Sequence, residues 1–220
     1  MNERVERVFR EQMKRHTPIT QAVPNAGSYT IPLGAAGRGR LVFSSIVDGL
    51  VLRAAAGMRG LLQGRLSGQM TWVGFEEGVV VVGGQTAAGS SAGSILLNAS
   101  LPWEIEFRNG VRGISAQLEG LELHALDVLG GVYQASLHLP RPAGTAYIHL
   151  SGGVFQMSLR RPRGVAISLT LQGGADRLTV DGKWCDSLSN EIYLESHGFA
   201  RAAARYAISI SGGASEVSIA

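Results

Sequence analysis

The groups best suited to chemistry in this chain are one thiol, five imidazoles and a cluster of guanidinium groups. Cys185 and His197 are the residue types of a nucleophile and its base. Nothing flanking them forms a nucleophile elbow, and no third group is evident to orient the base. A buried structural cysteine beside Trp184, in a loop inserted at Asp181–Asn190, is the expectation. His138 and His149 lie either side of a turn as cross-strand surface residues, and two histidines without a third ligand make no metal site. Glu104, Glu106, Glu119 and Glu122 show no pairing suited to acid–base work. The stretch from Gly83-Gly84 to Gly93 has no P-loop lysine and reads as a flexible loop. These residues predict no catalytic, cofactor or metal site, and no enzyme.

Arg141, Arg160, Arg161 and Arg163 suggest binding instead, because they fall at equivalent turns of successive repeat units. Units stacked ~4.8 Å apart would line these turns into a basic ridge. Such a ridge suits phosphate, nucleic acid or acidic glycan. Its bland counterpart is a set of solvated charges that keep a β-edge from aggregating. No aromatic residues interleave with the arginines, so no specific nucleic-acid partner is expected. At the other end of the chain, Val5, Val8, Phe9 and Met13 are spaced as one narrow helical stripe. The segment Asn2 to Arg15 is expected to be a helix capping the open end of the β stack or a frayed tail, or else a helix that docks on a partner. Its apolar face is thin, so membrane contact would be peripheral at most.

These groups must be positioned by many short strands. Glycine, at 30 of 220 residues, is about twice as frequent as usual, while charged residues make up only 17%. The net charge of +3, from 20 cations and 17 anions, is no nucleic-acid footprint without clustering. Asn109-Gly110, Gly130-Gly131, Gly152-Gly153, Gly173-Gly174 and Gly212-Gly213 mark a repeat of about 21 residues, the last interval being close to two periods. The flanks agree. Leu129-Gly-Gly-Val-Tyr-Gln-Ala-Ser-Leu137 aligns without gaps on Ser151-Gly-Gly-Val-Phe-Gln-Met-Ser-Leu159, and Gln172–Val180 and Ser211–Ile219 follow the same form. A decayed copy runs from Ser44 to Leu52, with Arg53 standing where Arg160 follows Leu159.

Each unit reads as strand, glycine turn, strand, second turn, with the glycines supplying the positive φ of two-residue hairpins. Trp103, Ile105 and Phe107 alternate onto one face and belong to the core. The expected fold is all-β: a β-solenoid or β-prism-like stack with a short N-terminal helix, or else a β-sandwich. Residues 1–26 form the helix and linker, and residues 27–220 a single β-repeat domain. The glycine–glycine motifs and following Pro-Gly turns resemble bacterial β-repeat domains of the adhesin or cell-envelope-stress type, and more distantly bactofilin-like β-helices. That resemblance implies a structural or interaction module with no catalytic residues.

The final repeat, Tyr206 to Ala220, carries no polar cap and is expected to leave an open end. An open end exposes unpaired backbone groups, so a non-enzymatic structural or interaction protein that self-associates is expected, as a homo-oligomer or with a protein partner. The alternative is a module binding an anionic ligand or envelope polymer through the arginine turns. One cysteine and no signal-peptide pattern lead to a cytoplasmic placement.

Overall fold

A computed structural model describes residues 19–21, 27–66, 72–83, 93–185, 188–189 and 191–220. The proposed helix with Val5, Val8, Phe9 and Met13, and most of the Gly83–Gly93 loop, lie outside these residues. Within the expected linker, Ile19–Gln21 forms a short strand paired antiparallel with Trp72–Glu76.

The described strands are β1 (Ile19–Gln21), β2 (Gly27–Pro32), β3 (Gly39–Phe43), β4 (Val47–Asp48), β5 (Leu50–Ala55), β6 (Gly60–Leu66) and β7 (Trp72–Glu76). They continue with β8 (Val79–Gly83), β9 (Gly93–Asn98), β10 (Pro102–Phe107), β11 (Val111–Gln117), β12 (Glu122–Val128), β13 (Val132–His138) and β14 (Thr145–Leu150). The last are β15 (Val154–Arg160), β16 (Ala166–Leu171), β17 (Ala175–Val180), β18 (Lys183–Cys185), β19 (Ile192–Glu195), β20 (Arg205–Ile210) and β21 (Ala214–Ile219).

Period-two alternation makes these segments strands. In β14, Ala146, Ile148 and Leu150 are buried; in β15, Met157 and Leu159 are, while Val154 precedes them by three residues because the chain takes a positive φ at Gln156. The chain passes from one sheet to the other at each glycine corner, giving a ten-stranded sheet A and an eleven-stranded sheet B. Sheet A runs β1-β7-β8-β3-β10-β12-β14-β20-β16-β19, and sheet B runs β18-β17-β21-β15-β13-β11-β5-β9-β6-β2, with β4 also paired to β11. Both sheets feed one core cluster, which includes Trp103, Ile105 and Phe107. The glycine corners are therefore not hairpin turns. Successive units pair in parallel, Val132 beside Val154 and Leu137 beside Leu159, in the register read from the repeat. The decayed copy also holds, with Val47 beside Val111 and Arg53 beside Gln117.

The corner glycines are required by closeness more than by conformation. A Cβ on Gly152 would lie 2.6 Å from the backbone of Gly130, and one on Gly212 would lie 2.6 Å from that of Gly152. Among the corner glycines only Gly174 takes a positive φ; each unit also has one beyond its corner, at Gly49, Gly113, Gln134, Gln156, Glu216 and Arg177. Four of these side chains form a ladder: Gln134 Nε2 donates to Gln156 (3.3 Å), Gln156 Nε2 to Glu216 (2.8 Å), and Arg177 pairs with Glu216 at 2.6 Å.

One expectation about order is overturned. The last unit, β20–β21, is not at an end. It lies between β14–β15 and β16–β17, hydrogen-bonded on both sides in both sheets. Parallel layers with matching registers are interchangeable neighbours, so sequence order did not dictate stacking order. The true end is made by two short antiparallel strands, β18 on β17 and β19 on β16.

Candidate functional site

The arginine residues divide into two groups. Arg161 is withdrawn into structure: its side chain is 10% exposed, its Nε donates to the Val165 carbonyl (2.7 Å), and its Nη2 lies 2.8 and 2.9 Å from the two Asp181 oxygens. Arg141, Arg160 and Arg163 remain on two adjacent turns, which are tied together by Arg141 Nη2 donating to the Arg163 carbonyl at 2.8 Å. No carboxylate among the described residues pairs with these three. The basic feature is thus a patch across two turns.

The histidines do not meet. His138 ends β13 in sheet B and bonds Glu119 through Nδ1 (3.0 Å). His149 lies near the far end of β14 in sheet A, with Nδ1 2.6 Å from Ser209 Oγ and Nε2 3.0 Å from Ser151 Oγ. Its in-register neighbour Asp127 has its carboxyl pushed up by burial, which the nearby imidazole partly offsets. One strand further, burial also pushes Glu106 up. Hydrogen bonds from Arg40 (2.6 Å) and Arg108 (2.9 Å) outweigh it and hold this carboxyl below its ordinary range. These groups form a polar outer face on sheet A, on which Tyr147 is exposed between the small in-register neighbours Ala125 and Ala207.

A cleft with an apolar floor and a polar rim lies at the stack end, between β18 and β19. It encloses about 250 Å³ and is lined by Ile167, Val180, Leu194, Cys185, Ser196, Asp181, Lys183, Glu195 and His197. Strand alternation explains the lining. Cys185 sits beside Leu178 and Lys183 beside Val180, so both occupy positions that carry core residues one strand earlier. Leu194 likewise extends the column of Leu169. The chain therefore brings Cys185 and His197 to one cleft, although no hydrogen bond joins them among the described residues. Cys185 is half-buried against the core. The expected buried cysteine is thus only partly covered, and its neighbour Trp184 alternates to the outer side of β18, where it is 61% exposed. Sequence reasoning missed Lys183 and Asp181. The available signal was the break in the repeat at 181–190, where polar residues fall in step with buried positions.

No group of three or more His, Cys, Asp or Glu side chains able to hold a metal occurs among the described residues, and none of their helices is long and apolar enough to cross a membrane. The fold defines an all-β protein of two mixed, layered sheets. No family model matches the chain, and no curated protein matches it by sequence. In fold it is similar to the crystal structure of a "putative cell adhesion protein from Clostridium sporogenes ATCC 15579", with a TM-score of 0.67 at 15% identity, over 90% of this chain and 100% of that one. At the level of fold, this agrees with the adhesin-type resemblance.

Proposed function

We propose that the protein is a non-enzymatic structural or interaction module, that its layers are the turns of a two-sheet solenoid, and that copies associate through the end bearing β18 and β19. The observation that carries this is the placement of Trp184 and Tyr193, exposed by 61% and 62%, one on each edge strand of that end. Exposed aromatic residues beside unpaired strand edges are the usual ingredients of association. The final repeat is interior, and the strands that finish the two sheets at this end are β18 and β19. The adhesion role in the neighbour's name supports an interaction function of this kind. Light scattering of the purified protein tests it. The mass should exceed that of one chain at high concentration and fall to one chain in Trp184→Ser/Tyr193→Ser. A strict monomer throughout would sink the proposal.

Arg141, Arg160 and Arg163, which no described carboxylate pairs, favour a second reading, a site for an anionic ligand or envelope polymer. Binding to a polyanion such as heparin should then weaken with salt and disappear in Arg141→Ala/Arg160→Ala/Arg163→Ala, whereas Arg161 must be kept for structure. Cell fractionation would test the cytoplasmic placement, with recovery in the envelope fraction counting against it.

A further inference from the structure

We propose that the end cleft binds a short aliphatic monocarboxylate, with its tail on Ile167, Val180 and Leu194 and its head at Lys183. The floor is apolar because it is the exposed end of the core: Ile167 in sheet A and Val180 in sheet B belong to the last parallel layer, and Leu194 continues the inward side of sheet A beside Leu169. The cleft's volume of about 250 Å³ holds about eight water-sized groups at ~30 Å³ each. A chain of six to eight carbons is therefore of the right size, whereas drug-sized ligands need more.

The charges on the rim select the head group. Asp181 is engaged by Arg161 through both of its oxygens. Glu195 lies one residue from inward-facing Leu194, so alternation turns it to the solvent side, where it accepts the Tyr193 hydroxyl. Lys183 has the opposite placement. It falls on the inward side of β18 beside Val180, and no carboxylate among the described residues pairs with it. His197 adds a second nitrogen-bearing group at the cleft. An apolar floor edged by an ammonium that no described carboxylate pairs suits an amphipathic anion, since the tail leaves water while the carboxylate keeps a charged partner.

The site does not depend on self-association, and the test keeps the two apart. Octanoate is titrated calorimetrically into the full chain and into Trp184→Ser/Tyr193→Ser, which retains every lining residue. Saturable one-to-one binding with a dissociation constant of about 1 mM or tighter is expected in both. Lys183→Gln, a change at an exposed position, should weaken it about tenfold, and octylamine should bind at least tenfold more weakly than octanoate. Absence of saturable binding, indifference to Lys183→Gln, or equal binding of octylamine would each overturn the proposal.

Discussion

The glycine corners offer the sharpest test of why this chain folds as it does. In Gly152→Ala, the new methyl carbon would stand 2.6 Å from the carbonyl carbon of Gly130, and the obstacle is backbone that no rotamer change can move. Non-bonded carbon atoms rest at about 3.5–4.0 Å, so the two layers must part locally by about 1 Å. Overpacking usually costs about 1–3 kcal/mol, and a clash against rigid backbone belongs at the upper end. A loss of about 3 kcal/mol corresponds to a fall in Tm of about 6–12 °C for a domain of this size. Gly153→Ala is the matched control. Its nearest obstacle is the Gly213 carbonyl oxygen at 3.7 Å, an ordinary contact, and its φ is not in the left-handed region. That change should lie within about 0.5 kcal/mol of wild type, or stabilise slightly by restricting the unfolded chain. Urea titration followed by circular dichroism reads both. If the two variants lose equal stability, the corner is governed by backbone conformation and the close-approach argument is wrong.

Two further changes test the polar groups. Glu106 has a folded pKa below its ordinary value of 4.5, so it contributes stability at neutral pH that is lost as pH falls through 4.5 and on through the lowered value. Glu106→Gln should therefore be less stable than wild type at pH 7, and the gap should narrow towards pH 3; a gap independent of pH would refute the assignment. Tyr29 is buried, and its hydroxyl has no hydrogen-bond partner among the described residues. Tyr29→Phe should raise stability by about 1 kcal/mol, against the usual sign for a core substitution, and a fall in Tm would show that the hydroxyl is satisfied after all.

The repeat register was legible because it is written in matching residues. Val132 and Val154, or Ala175 and Ala214, align in sequence and pair in space. The stacking order was not legible, for the same reason. Val217 can lie against Met157 or Leu178 with equal ease, and it does both. The glycine pairs were recognised, but a turn conformation and a close backbone approach demand the same residue, and sequence alone does not separate them. The end cleft was hidden because its key groups interrupt the pattern. Lys183 and Cys185 look like loop residues until pairing to β17 places them in step with Val180 and Leu178. The solvent exposure of Trp184 also depends on that pairing.

The interleaved position of residues 205–219 has a consequence for how the molecule comes into being. A pile built strictly in chain order could settle one tread at a time during synthesis, each new strand finding its berth already prepared. Here Ala166–Val180 cannot take its permanent seat until a stretch made later slides in beneath it, because Tyr206 must first rest on Ala146 and Ile167 on Tyr206. The late segment acts as a keystone. Any strand placed early must either wait or be displaced, and a chain cut before residue 205 would lack the middle of its arch.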